Sequence, residues 1–190
     1  MKKRGSSIAK LDFKTAFKYP FNRAKGLLNI LWILLPILGC FALMGYGVRI
    51  IQGFSKGKFR KLPIFKFSSN LKLGFFMFLK SLPFLFGYIV FIFLLTIINP
   101  WLRLVHIFAG LFVLPILFIN FMNKETIEAL FEFKVINSVF NNLWDYIMAL
   151  LKDISLSIIF LIMWVVLVGI PAGAFTKSIF LADFYRRKVK

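Results

Sequence analysis

Four stretches of this chain are almost free of charge. Residues 26–48 carry none over 23 positions, 81–102 none over 22, 104–123 only His106, and 154–176 none over 23. About 20 apolar residues in a helix cross the hydrocarbon core of a bilayer. A soluble core does not need such runs, because its helices and strands bury one face and interleave polar residues. The pattern predicts an all-α integral membrane helical bundle with about four spanning-length segments. In a chain of 190 residues these leave no room for a separate soluble domain, so 1–190 reads as a single multi-pass membrane domain. Its parts are a basic leader over 1–25, membrane-embedded runs over 26–51, 73–99, 101–122 and 146–185, and an amphipathic stretch over 125–146.

The charges lie between the runs. There are 25 Lys and Arg against 7 Asp and Glu, a net charge of +18. A basic chain can mean nucleic acid, but the 26 Phe residues belong to the apolar runs and form no soluble base-stacking platform. Nucleic acid is set aside as a partner. Anionic membrane lipid is the expected one, since each juxtamembrane Lys or Arg contributes about 1 kcal/mol near such a surface. A second copy of the chain or another membrane protein fits as a further partner. The expected location is the cell membrane, with the N-terminus cytoplasmic. Met1 to Arg4 is basic, but no short apolar region with a small-residue cleavage site follows, so no cleavable signal is expected. Cys40, the only cysteine, allows no internal disulfide and is expected as a small buried packing residue.

Two segments are amphipathic. "LDFKTAFKYPFNRAKGLL" (11–28) alternates Phe13, Phe17, Tyr19 and Phe21 with Lys14, Lys18, Arg23 and Lys25. It is too charged to cross a bilayer and too aromatic for water. An interfacial anchor ending near Pro20 is expected, with lysine stems snorkelling above sunken rings; a cap packed on the bundle is the other reading. Over 133–147, at 100° per residue, Val135, Ile136, Val139, Phe140, Leu143 and Trp144 share one half of a helical wheel. Lys134, Asn137, Ser138, Asn141, Asn142 and Asp145 share the other. One interfacial helix is expected there.

The apolar runs are themselves interrupted. "ILLPILG" (33–39) and "LVGIPAG" (167–173) place Pro36 with Gly39, and Pro171 with Gly173, in mid-run. Proline removes a helical donor and clashes with the preceding turn, so a kink or fold-back is expected at each. Charge favours the fold-back. If every run crosses once, 14 of the 25 basic residues lie inside; if the two broken runs are re-entrant hairpins, 24 do. The first run, at about 23 residues, is also long enough for a simple span. The first and last thirds, each a leading helix, a broken run and a basic exit, read as divergent copies.

Several short motifs carry a resemblance: Tyr19-Pro20-Phe21, Gly45-Tyr46 with Val48-Arg49, Leu62-Pro63 with Phe65, and the stretch from Phe140 through Tyr146. With them the chain resembles, over nearly its whole length, the uncharacterised bacterial and archaeal multi-pass membrane family called domain of unknown function 4013. That family usually has an acidic stretch after its Leu-Pro-x-Phe element, where this chain has Lys66-Phe67-Ser68-Ser69. The resemblance implies an α-helical membrane fold and supplies no activity, cofactor or catalytic residue.

Catalysis needs positioned acids, bases, nucleophiles or metals. One His, one Cys and 7 acids form no HExxH motif, Gly-rich phosphate loop or Cys/His cluster. No catalytic, cofactor-binding or metal-binding residue is assigned, no cofactor is expected, and the chain is read as a non-enzyme. The polar residues in or beside the runs are Lys80, Arg103, His106, Asp145, Asp153 and Asp183. Lys80, inside "FFMFLKSLPF", is a functional candidate by depth, although snorkelling accounts for it. His106 reads as an interfacial or packing residue, Asp145 as solvated on the polar arc of its helix, and Asp153 as paired with a basic neighbour. Asp183 reads as bridged to Arg186 and Arg187 at i,i+3 and i,i+4.

The expectation is a lipid-embedded scaffold or partner subunit. The alternative is a small transporter or permease component with the broken helices lining a path; an intramembrane enzyme comes third. The helical wheel over 133–147 yields a first prediction. Spin labels at Asn141 and Phe140, in protein reconstituted into vesicles, should differ, with Asn141 relaxed by a water-soluble paramagnet and Phe140 not. Equal accessibility would remove the interfacial assignment.

Overall fold

The leader opens on a capped helix. In the computed structural model, which describes residues 10–190 apart from the side chains of Pro100 and Arg103, the Asp12 carboxylate accepts from the Thr15 N–H and starts α1 (Phe13–Lys18). A 3-10 stretch, Phe21–Leu34, kinked at Arg23, leads towards α2 (Leu38–Phe54). Then come α3 (Phe67–Ile98), α4 (Arg103–Phe108), a π turn over Ala109–Val113, α5 (Leu114–Lys124), α6 (Lys134–Asn141), α7 (Leu143–Ile162), α8 (Gly169–Thr176) and α9 (Ile179–Lys188). Among the described residues there is no strand.

Three helical stretches are long and apolar enough to cross a membrane: Phe67–Ile98, Leu104–Lys124 and Leu143–Val166. The expected number was about four. The missing one is the first run, which is split into a 3-10 stretch and a helix of 17 residues, neither of spanning length. In the most apolar window of α3 only 11% of the residues are buried within the protein. Leaving that helix in water would expose a far larger apolar surface than soluble monomers tolerate.

Both broken runs are hairpins. In the first, the Leu38 N–H donates to the Pro36 carbonyl at 2.7 Å and closes a γ-turn on Ile37 (φ 64°, ψ −65°). A β-branched residue in that region costs on the order of 1–3 kcal/mol. The tightness of the return requires it: a Cβ on Gly39 would collide with the Trp32 carbonyl. At the other end the Tyr19 and Phe54 rings meet at 4.7 Å, so the flanks of the first run lie side by side. The closed end points out of the protein, with Leu34 76% and Ile37 70% exposed.

The second hairpin repeats this turn. The Val168 N–H donates to the Val166 carbonyl at 2.7 Å around Leu167 (φ 57°), and a Cβ on Gly169 would strike the Phe160 carbonyl. A residue at positive φ, one further residue and a glycine form both apices, which strengthens the likeness between the first and last thirds. The break therefore lies at Leu167, not at Pro171 and Gly173 as the sequence suggested. Pro171 occupies the first turn of α8, where a helix needs no N–H donor, and Gly173 sits inside α8 in ordinary contact with Phe160. Pro36, by contrast, does stand in the turn. From the apex, α8 and α9 return along α7. The Asp153 carboxylate accepts from the Phe180 and Leu181 N–H groups at 3.2 Å each, and Tyr146 meets Phe184 at 5.2 Å. A second interruption, Lys177 and Ser178 (φ 62°), separates α8 from α9.

Other expectations change with this packing. The leader is the cap and not a free anchor: Leu11, Ala16 and Tyr19 are buried, Phe13 stacks on Phe180 at 5.9 Å and Phe17 on Phe160 at 5.5 Å. The aromatic residues suited to lipid are used on the second hairpin instead. The amphipathic stretch is two helices, because Asn142 (φ −131°, ψ 40°) ends α6 and begins α7. In α6, Val135 and Val139 are buried while Phe140, and Phe133 just before the helix, are exposed. Cys40 is exposed, because it follows the first apex on the outer side of α2.

The third run is tied to the second hairpin through a proline. Pro115 cannot donate to the Leu111 carbonyl four residues earlier; the Tyr146 hydroxyl donates to it instead, at 2.7 Å. The π turn lies across the same residues. Between α2 and α3, Gly45 and Gly74 set the approach: a Cβ on Gly45 would collide with the Asn70 carbonyl, and one on Gly74 with the Phe41 carbonyl. In lipid, helices associate by such close packing, because acyl chains are as apolar as the side chains. Gly45→Ala should therefore lower stability by about 1–3 kcal/mol, read from unfolding in detergent. Gly47→Ala, where nothing lies within 4 Å, should be neutral or stabilising.

Candidate functional site

A polar groove lies beside the first hairpin. Arg49, Gln52 and Gly53 fall at helical spacing on one face of α2, and Lys56 stands in the turn just past its end. After Phe54 the chain turns at Gly57 (φ 75°), with the Lys58 N–H returning to the Gly53 carbonyl. Residues 59–66 come back without helix or sheet, so their carbonyls need side-chain donors. Asn22 Nδ2 donates to Arg60 O at 2.6 Å, Arg23 Nη1 to Leu62 O at 2.9 Å, and the Tyr46 hydroxyl to Pro63 O at 3.0 Å. The start of α3 forms the far side, where Arg49 donates through Nε to Asn70 Oδ1 and through Nη2 to Ser69 Oγ, each at 2.7 Å.

These walls enclose an open groove of about 890 Å³. Half-buried Arg23 and Arg49 line it, and exposed Lys56, Lys58, Arg60, Lys61 and Lys66 surround it. No Asp or Glu is among its lining residues. None of these seven cations takes part in an ion pair among the described residues. Salt screens the repulsion among the five exposed cations, and the groove presents charge of one sign only. In the sequence Arg23 belongs to the leader, Arg49 and Lys66 to the family comparison and the rest to the flanking charges, with none of them grouped as a site; the signal was the density of Lys and Arg in "KGKFRKLPIFKF" (56–67).

Elsewhere three carboxylates, Asp183, Asp145 and Glu132, are bonded to cations. Asp183, 1% exposed, accepts from the Leu11 N–H at 3.1 Å, from Arg186 Nη2 at 2.7 Å and from Arg187 Nε at 3.0 Å. The i,i+3 and i,i+4 bridges are thus present, with a backbone bond to the leader added. Asp145 is not simply solvated: Lys10 at 3.1 Å, Lys188 at 3.3 Å and Arg187 at 3.7 Å surround it. Asp153 has no basic partner among the described residues; it caps α9, accepting from the Phe180 and Leu181 N–H groups. Glu132 is bonded to Lys124 and, at 2.9 Å, to Asn120; the Lys124 bond first, then Asn120, holds its carboxyl below the usual range.

The remaining candidates are dispersed. Lys80 Nζ donates to the Glu125 carbonyl at 2.7 Å. It caps the end of α5, whose last carbonyls lack helical donors. His106 Nδ1 is 2.7 Å from the Tyr88 hydroxyl on an exposed face. The Arg103 side chain lies outside the described residues. Pro36 and Gly39 shape the first hairpin, Pro171 and Gly173 lie within α8, and the four reach no common site. Among the described residues no group of three His, Cys, Asp or Glu is placed to hold a metal ion. A second cavity, about 590 Å³ and mostly apolar, lies between α2, α5 and α8, with Lys177 and Ser178 on its lining.

Asp183 supplies a prediction about the frame of the site. Asp183→Asn leaves Arg186 and Arg187 without their buried carboxylate and should destabilise the protein by about 3–5 kcal/mol in detergent unfolding. Asp145→Asn, at a pair of partly exposed groups, should cost about 1 kcal/mol or less. No protein-family model, curated protein or solved structure matches this chain.

Proposed function

We propose that this chain is a non-enzymatic, lipid-embedded membrane protein that acts as a scaffold or partner subunit, with its basic surface turned to anionic lipid. One observation carries the reading: each hairpin exposes an apolar closed end and brings its charged flanks together at the other. Val165 is 92% and Leu167 73% exposed at the second apex, beside Trp164; Trp32 stands near the first. The backbone of both turns is closed on itself, as lipid requires. The opposite ends hold Lys58 for the first hairpin and Asp145 with Lys188 for the second.

A small transporter or permease component is favoured by a different feature. The α8–α9 pair is a discontinuous helix, with a carboxylate at the N-terminus of its second half and Lys177 at the break beside the apolar cavity. A substrate path needs converging polar groups, and Lys177 and Ser178 are the polar residues on that lining. The scaffold reading therefore stands first.

Tryptophan quenching tests it. In vesicles of lipid brominated deep in the acyl chain, variants retaining only Trp32 or only Trp164 should be quenched strongly. A sole Trp placed by Lys58→Trp should not. Equal quenching at all three positions would overturn the arrangement.

A further inference from the structure

We propose that the basic groove between α2, the returning segment 59–66 and the start of α3 is a binding site for a phosphate ester, held as the headgroup of an anionic phospholipid. The inference rests on the membrane reading above and names the ligand of that surface. Three observations support it together. The groove gathers seven Lys and Arg with no lining acid and no ion pair among the described residues. Its two deepest cations are guanidinium groups anchored by neutral partners only: Arg23 on the Leu62 carbonyl, Arg49 on Asn70 and Ser69. Each retains further N–H donors, and a guanidinium fork matches phosphate oxygens in geometry. The outer cations, four lysines and Arg60, are exposed, and a lysine reaches a phosphate as a mobile point charge.

Size and position agree. A volume of about 890 Å³ accepts a glycerophosphate headgroup with its hydration. The groove adjoins apolar surface, since Ile64 beside it is 66% exposed, so an acyl chain leaving the site meets an apolar side chain. Free inorganic phosphate would use the same cations but gain nothing from that neighbour.

The test uses the full chain in detergent, titrated with dioctanoyl phosphatidylglycerol, dioctanoyl phosphatidic acid, dioctanoyl phosphatidylcholine and inorganic phosphate. Both anionic lipids should bind at least tenfold tighter than phosphatidylcholine and than inorganic phosphate. The variant K56Q/K58Q/R60Q/K61Q, which spares the anchored Arg23 and Arg49, should lose at least tenfold. The variant K14Q/K18Q/K72Q/K134Q removes the same charge from exposed positions off the groove and should lose less than threefold. Equal losses in the two variants would reduce the effect to net charge and overturn the site. Inorganic phosphate binding as tightly as the lipids would overturn the lipid as its source. An RNA oligonucleotide binding tenfold tighter than the lipids would overturn the ligand class. The quenching of Trp32 and Trp164 separates the two proposals: retained quenching with unselective headgroup binding rejects the groove alone, whereas lost quenching rejects the membrane reading beneath it.

Discussion

The Asp183 carboxylate is the interaction on which the rest of the structure depends. It is buried, and a buried carboxylate without partners is too costly to keep. Here its oxygens accept from Arg186 and Arg187 of the same helix and from the Leu11 N–H, 172 residues away in the chain. That last bond lays the leader along the second hairpin, where Phe13 and Phe17 find Phe180 and Phe160. From the leader the chain enters the first hairpin at Tyr19, so the register of one hairpin on the other follows from this ionic knot. Arg186 also lies over the Phe59 ring at 5.0 Å, joining the knot to the segment that walls the groove.

Around that knot the backbone is satisfied by unusual means. Apolar hairpins cannot borrow donors from lipid. Each apex closes its own turn, and the groups that proline or the returning segment leaves unpaired are taken by tyrosine, asparagine and arginine. Tyr146 serves the carbonyl opposite Pro115, and Tyr46, Asn22 and Arg23 serve the returning segment. Asn120 joins Tyr185 to Glu132 in the same way. These polar groups have structural partners. The basic groove differs because seven cations gather around one space with no lining acid and no ion pair among the described residues.

The all-helical class, the excess of apolar surface and the two fold-backs were legible in the sequence, because they depend on local composition. Long uncharged runs have few homes besides a bilayer, and the basic flanks of the runs at Pro36 and Leu167 favoured a return over a crossing. The exact apices were less legible. Pro36 marks the first turn, but the second lies at Leu167, four residues before the proline that drew attention. A proline is compatible with the first turn of a helix, whereas the turn itself needed only a close approach at Gly169.

Thus the sequence by itself determined that the chain is helical, apolar enough for membrane and strongly basic between its runs. Those properties add up residue by residue along the chain. Only the tertiary structure decided that the leader is a cap, that Asp145 sits among three cations, that one of four runs is too divided to span, and that Arg23 and Arg49 share a groove with Lys66. Each depends on which distant segments meet. Helical periodicity tells which face a residue occupies, but it carries no information about what that face will touch.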